Sequence, residues 1–592
     1  MNIVVIDSGL SPLYPRDCIL GGITVYETEE EGKFRFEEEF SDKFGHGTGV
    51  TDVILKNSED SSIYIINIYK DQEIVSEGML YAAMEYAMEH LDFEIMHISS
   101  GVNFYSRKLH DLVKRITSCE GKIIISAFDN AGAISYPSAF PEVIGIDHSM
   151  EYSNKDQYSI VEDNIIDVIG AKTYFRIFDL NGKTMINQGT SFLAAYFTSK
   201  ICGFPKPLAK KTVMEKLKEN AVYVFPKSEE KEITGKQMVQ SIKKAVVFPF
   251  NKEIHSLAAF EDLMPFEVEG YYDIRHKFLV GRKICEILPH IDNEKVIQNI
   301  DTLDWDADFD AMICGHVGEI STILKKDYLE EILSLAKEHN KKVFFFDNLY
   351  DRYEDFENNE QFFCPYGDVS IRERNLFGKM NTPNIPLLAV LGTSSKQGKF
   401  TVQLSIMREL KKRGIQCDGL SSEPSGVLLG YSETIPFGYG SHGFMRGKDL
   451  SIHANALIRN IELTQPEIII TGCQSGTLSR DLCHVQYMLH DQYSFLLGVN
   501  PDGIILCVNN YDDEDYLKRT RAFIESVCEG KIMAVVLSNV TKIFSQSIWD
   551  NPLRDRDPLS KEDVERLFGL PVFTVPDLDI SGLVDIIVDY YS

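Results

Sequence analysis

Three short stretches place an aspartate, a histidine and a serine where chemistry can use them. "MNIVVIDSGL" is an apolar strand ending in Asp7. "KFGHGTGVTDVI" sets His46 between two glycines, at the head of an apolar run that reads as a helix. "NQGTSFLAAYF" sets Ser191 after Gly-Thr, again at the head of a helix-like run. A serine hydroxyl is a weak nucleophile until a histidine accepts its proton. A buried carboxylate must then hold the imidazole in one tautomer and stabilise its cation. The chain order Asp7, His46, Ser191 is one of the three unrelated orders in which that triad occurs. The same chemistry needs a donor for the oxyanion of the tetrahedral intermediate. Asn130, in "GKIIISAFDNAGAISYPSAFPEVIGI", stands just past an apolar strand. In "FEIMHISSGVN" a strand runs into Ser99, Ser100 and Gly101, an edge that can pair with an extended peptide by strand addition. Taken singly, each has a plainer reading: Asp7 as a strand-end turn residue, His46 as part of a turn before a helix, Ser191 as a helix cap, Asn130 as a left-handed turn residue.

Five segments in this order carry more than any one of them. Through VVIDSG, GHGTGV, ISSGV, the Asn130 segment with YPSAFPEVIGI, and GTSFLAA, residues 1–205 resemble the subtilisin-like serine peptidases (subtilases). The resemblance implies Asp7, His46 and Ser191 as the triad, Asn130 as oxyanion donor beside the Ser191 amide, and Ser99, Ser100 and Gly101 as the substrate-binding edge. It implies a parallel sheet with helices on both faces and a peptidase with no cofactor and no metal. The sequence departs from the family at Ala195, where Pro is usual. It departs again at Gly49-Val50-Thr51-Asp52 after His-Gly-Thr, and at Val102, where Gly is common. The domain is also shorter than usual.

A second motif lies near residue 390. In "NIPLLAVLGTSSKQGKFTVQLSIMRELKKRG" an apolar strand meets Gly392, a polar loop, Gly398-Lys399 and a long amphipathic helix. Strand, glycine loop, Gly-Lys and helix form the P-loop context, in which backbone N–H groups and the lysine hold phosphates. Gly392, Thr393, Gly398, Lys399 and Thr401 are the nucleotide-binding candidates. The spacing has one residue too many, and Phe400 stands where a hydroxyl should face Mg²⁺. The stretch 385–592 resembles the P-loop enzymes related to dethiobiotin synthetase, which implies ATP or GTP with Mg²⁺ at the loop. The neighbouring strand "PEIIITGCQSGTLSR" offers Thr471 and Gly472, with no carboxylate until Asp481. "MAVVLSNV" ends at Asn539, where relatives can read the adenine base. A plainer reading is a glycine-rich turn kept for packing.

The elements that must position these residues follow from pattern. Residues 206–244 are lysine-rich and mostly helical in period, a closing helix plus linker. Residues 245–383 alternate strand and amphipathic helix and suit a parallel Rossmann-like α/β domain. Cys314 and His316 in that domain are two residues and do not make a metal site. Residues 384–592 form the P-loop NTPase-like α/β domain. The whole chain is thus expected to be α/β throughout.

Composition bounds the rest. The 592 residues carry a formal charge of −29, which argues against nucleic acid or an anionic membrane as partner. Eleven cysteines without C-x-x-C pairs suit a reducing compartment. No apolar run is long enough to span a bilayer, and Met1 is followed at once by the first strand, so a cytoplasmic peptidase is expected. The pairing of a subtilase with such a P-loop half is similar to clostridial ribosomal-peptide (RiPP) maturation systems. That implies a peptide precursor as substrate and other peptide-maturation enzymes as partners. The alternative is a peptide-binding scaffold, with a degenerate peptidase and a P-loop half that acts as ATP-dependent catalyst or switch.

Overall fold

The computed structural model describes residues 1–30, 32–70, 74–130, 132–162, 165–226, 235–275, 278–347, 349, 361–365, 378–395, 397–437, 445, 447–479, 489–539 and 557–592. Two compact units emerge: Met1–Glu230 with Ser370–Asn384, and Lys231–Val369 with Ile385–Ser592. Asp481 lies outside the described residues.

The first unit is built on a sheet whose parallel centre contains β1 (Asn2–Asp7), β2 (Ser62–Asn67), β3 (Ile95–Ile98), β4 (Ile123–Ala127) and β5 (Ile144–Ser149). Its strand order, from β5, is β5-β4-β3-β1-β2, and further strands extend both edges to ten. These central strands read as near-continuous apolar runs because both faces are covered. Ile3 and Val5 face one core with Val50, Val53 and Ile54 of α1 (His46–Asn57) and with Leu193, Ala194 and Phe197 of α4 (Thr190–Ile201). Val4 and Ile6 face the other core with Leu80 and Met84 of α2 (Glu77–His90) and with Leu112 and Ile116 of α3 (Arg107–Thr117). The period-two alternation of side chains along a strand makes this division.

The lysine-rich stretch that reads as helix plus linker contains a helix at Lys210–Lys218. It also contains a strand, Tyr223–Phe225, which pairs in parallel with Tyr158–Val161 at the edge of the first sheet. Of the residues that the sequence assigns to the middle domain, 378–383 cluster with the first unit.

The second unit holds two parallel sheets. One contains β6 (Lys244–Phe248), β7 (Ala311–Cys314) and β8 (Lys342–Phe345) among its six strands. The other has seven strands, including β9 (Leu387–Gly392), β10 (Cys417–Ser421), β11 (Ile468–Gly472), β12 (Gly503–Asn509) and β13 (Lys531–Ser538). β9 lies between β11 and β12 and leads through the glycine loop into α5 (Lys399–Lys412). One apolar core runs through both sheets, from Val247 and Ile313 to Val390 and Val402. Among the described residues no helix is long and apolar enough to cross a membrane.

Candidate active site

The carboxyl ends of parallel strands are where α/β folds place their chemistry. Asp7 ends β1, Ser99 follows β3 and Asn130 follows β4, so all three reach the same edge of the first sheet.

His46 is the first residue of α1, and its two glycine neighbours have separate tasks. Gly45 takes φ 83°, a left-handed turn that starts the helix. A Cβ on Gly47 would come within 2.5 Å of the Gly9 carbonyl, so only glycine lets the helix start this close to the Ser8-Gly9 turn. That approach sets His46 Nδ1 2.8 Å from Asp7 Oδ1, which also accepts the Ser8 amide at 2.7 Å. Burial opposes the Asp7 charge, but His46 and the Ser8 amide outweigh it and hold its pKa below the ordinary carboxylate value. For His46 burial works against the cation, yet the contact with Asp7 and the charge of Asp42 outweigh it, and its pKa is raised.

Ser191 is buried in the first turn of α4, which packs against α1. The ring of the next residue, Phe192, lies 5.4 Å from the His46 ring, centre to centre. No hydrogen bond between Ser191 Oγ and His46 occurs among those of the described residues; such bonds are often long before substrate arrives. Asn130 is exposed and leans on the residue before the serine, its Oδ1 accepting the Thr190 amide at 3.1 Å and the Thr190 hydroxyl at 3.2 Å. With Oδ1 anchored, Nδ2 is the group left to donate. Ser100 Oγ is bonded to Tyr69 Oη at 2.8 Å, and Gly101 is exposed beside the Tyr136 carbonyl.

Several residues that motif reading missed hold this arrangement. Asp42 accepts the Ser8 hydroxyl (2.9 Å), the Gly45 amide (2.8 Å) and both the amide and the hydroxyl of Thr48 (2.9 and 2.6 Å), fastening the Asp7 turn to the start of α1. His97, fully buried on β3 beside Val5, bonds Thr198 Oγ1 of α4 at 2.9 Å and Ser99 Oγ at 2.8 Å. An extended stretch near residue 380 adds a wall: the Ile134 amide donates to Met380 O at 2.9 Å, and Tyr136 Oη donates to Asn381 Oδ1 at 2.9 Å. Lys379 Nζ lies 3.1 Å from Asp147 Oδ2, both side chains almost wholly buried.

Burial pushes the pKa of His97 down from 6.5 to about 4. The sign follows. The unfolded chain takes up this proton near pH 6.5 and the folded chain only near pH 4, so the stabilisation is full above 6.5 and is lost as pH falls toward 4. The loss is about 3 kcal/mol in total. Melting of the His97→Gln protein across that range will show a shallower fall than the parent; equal slopes would remove His97 from the account.

At the glycine loop, Lys399 is buried and its Nζ donates to Ser394 O at 2.6 Å. Burial pushes its pKa down to about 8. The amides of Thr393 and Ser394 both donate to Gln397 Oε1 at 3.1 Å, so a side-chain oxygen sits where a phosphate oxygen would be received. Thr393 Oγ1 is 2.5 Å from Asp512 Oδ2, a carboxylate that arrives from beyond β12. It comes from the strand on the other side of β9 from β11. Converging amides with a buried lysine fit a phosphate group. Thr401 is exposed, and Phe400 holds the position of the usual metal-facing hydroxyl. Asn539 is exposed just past β13.

Residues 376–520 match a family model described as "Domain of unknown function (DUF1611_C) P-loop domain". The N-terminal unit resembles the subtilisin-like serine peptidases. Among solved structures, the chain is similar to a lanthipeptide protease (16% identity, TM-score 0.30, 38% of this chain and 80% of that one). It is similar to a DUF1611 family protein from Anabaena variabilis (13%, TM-score 0.38, 59% and 99%) and to the prenylagaramide maturation protease PagA (17%, TM-score 0.25, 34% and 72%). No match is found among curated proteins. Cys314, in the P-loop unit, is buried, and its neighbour His316 is partnered by Asp347.

Proposed function

We propose that the chain is a cytoplasmic serine endopeptidase that cleaves a ribosomally made peptide precursor, with its P-loop unit binding nucleotide or a second part of the substrate. The observation that carries the peptidase reading is the Asp7–His46 pair standing at the same sheet edge as Asn130, which is anchored to the residue before Ser191. Ser191 Oγ attacks the scissile carbonyl, His46 Nε2 takes its proton, and Asp7 holds the ring and balances the imidazolium. The Asn130 carboxamide and the Ser191 amide receive the oxyanion. Ser99, Ser100 and Gly101 align the peptide as an added strand. The precursor as substrate, and other maturation enzymes as partners, rest on the resemblance to clostridial peptide-maturation systems. When bound at the loop, ATP or GTP would supply a phosphate group; Lys399 and the Thr393 and Ser394 amides are the groups that would hold it, once Gln397 moves aside.

The scaffold reading has one observation in its favour, the missing hydrogen bond between Ser191 and His46 among the described residues. One experiment separates the two. Asn130→Ala will still label with a fluorophosphonate but cleave a precursor peptide ~10²–10³-fold more slowly, the usual cost of one oxyanion donor. An unchanged rate removes Asn130 from the site. A parent protein that neither labels nor cleaves any peptide is the scaffold.

A further inference from the structure

Asn130, the oxyanion donor of the proposed site, stands in a turn that does little to hold itself. Asp129 and Asn130 are exposed, and Gly132 takes φ 98° with open space where a Cβ would be. Such a donor has to be in place before the charge develops, because moving it into place at that moment costs rate. The bonds to Thr190 fix its side-chain oxygen. Its main chain is set by whatever holds the residue before it.

Asp129 is clamped at both of its peptide groups. Its amide donates to Ser135 Oγ at 3.1 Å, and its carbonyl accepts from Lys379 Nζ at 3.3 Å. The Asp129 carbonyl and the Asn130 amide belong to one planar peptide unit. The lysine therefore sets the plane from which Asn130 departs.

Lys379 is in turn held firmly, by contacts that all lie within the first unit. Its Nζ is 3.1 Å from Asp147 Oδ2. The Phe128 amide donates to Ile146 O at 2.9 Å, so β5 delivers its next residue, Asp147, beside the end of β4. The stretch that bears the lysine runs along residues 133–136. Met380 forms a parallel bridge with Ala133, and its carbonyl accepts the Ile134 amide at 2.9 Å. Asn381 Oδ1 accepts the Tyr136 hydroxyl at 2.9 Å. The Thr382 amide donates to Asn103 O at 3.3 Å, two residues past Gly101. A buried ion pair is weak evidence for stability, since an apolar pair of similar volume often serves as well. This lysine does what an apolar side chain cannot: it gives the Asp129 carbonyl an N–H while Asp147 neutralises its charge.

We propose that Lys379 is a positioning residue for peptide cleavage, fixing the Asp129–Asn130 peptide plane and so holding Asn130 Nδ2 where the oxyanion forms. The role rests on the peptidase reading. Its effect falls on the transition state, because the oxyanion exists only on the way through it.

The test uses the full chain with ¹⁵N-labelled asparagine, and Asn130→Ala assigns the Asn130 carboxamide signals by NMR. Lys379→Met with Asp147→Asn removes the lysine without leaving a carboxylate charge buried. If that pair does not fold, Lys379→Met with Asp147→Leu, an apolar pair, takes its place. The Asn130 carboxamide signals will shift in the paired variant. The probe of rate is the hydrolysis of p-nitrophenyl acetate that a fluorophosphonate abolishes, since ester hydrolysis forms the same oxyanion. That rate will fall by about 10–10²-fold, the range that a displacement of about 1 Å costs. In the Asn130→Ala background the same pair of changes will cost no more than about twofold further, because the donor they misplace is already gone. If the Asn130 signals stay where they are in the parent, or if the two losses multiply, the positioning role is wrong. If the signals move but the parent neither labels nor hydrolyses the ester, the hold on Asn130 stands and the peptidase reading falls.

Discussion

His46→Ala will abolish fluorophosphonate labelling of Ser191 and lower peptide cleavage by about 10⁴–10⁶-fold. The hydroxyl of Ser191 depends on His46 as its base in this reading, and an unassisted serine is inert. Asp7 is fully buried and paired with His46, so Asp7→Asn will leave the geometry in place but hold the wrong tautomer, with a loss of about 10⁴-fold. In the parent protein kcat/KM will fall on the acid side at a pH above the 6.5 of free imidazole, because the raised pKa of His46 keeps it protonated for longer as pH rises. Strong labelling of the His46→Ala protein would overturn the triad.

Lys379→Met will destabilise the first unit by about 3–5 kcal/mol, because the buried Asp147 carboxylate loses its lysine and keeps, among the described residues, the imidazole of His148 at 3.6 Å. Lys379 Nζ also lies 5.2 Å from the centre of the Phe128 ring and donates to Asp129 O at 3.3 Å, one residue before Asn130. The double variant Lys379→Met with Asp147→Asn will regain most of the loss, since the stranded charge is gone. Denaturant unfolding followed by a probe in the first unit will read both. A Lys379→Met protein as stable as the parent would show that the ion pair is not what holds this stretch. Residues 1–230 alone lack Lys379, so a peptidase fragment made by cutting within 206–245 will be less stable than the same unit in the full chain. Cleavage by that fragment reads substrate recognition only after 370–384 has been supplied as well.

Much of the candidate site is legible in local sequence. Asp7, His46, Asn130 and Ser191 each sit at the end of an apolar strand or the start of a helix, and such positions announce themselves through glycine, polarity and period. The task of Gly47 becomes visible only when α1 is seated on the Ser8-Gly9 turn. At the glycine loop the same limit produced a miss. The stretch along β11 has no carboxylate before Asp481, and Asp512 reaches Thr393 from the other flank of β9. Strand order decides which loops are neighbours, and nothing in a strand's own residues states that order.

By itself the sequence determined the α/β class, the strand and helix ends that bear the reactive side chains, and the expectation of phosphate binding at Lys399. These depend on period and on backbone conformation within a few residues. Only the tertiary structure decided that Asp42 braces the Asp7–His46 pair, that His97 ties β3 to α4 and that a stretch near residue 380 completes the first unit. It also decided that Gln397 occupies the loop amides and that Asp347 partners His316. Those contacts join residues separated by tens to hundreds of positions. They are set by which strands become neighbours and by which side chains stay buried with a partner, because a buried charge or hydrogen-bonding group is costly to leave alone.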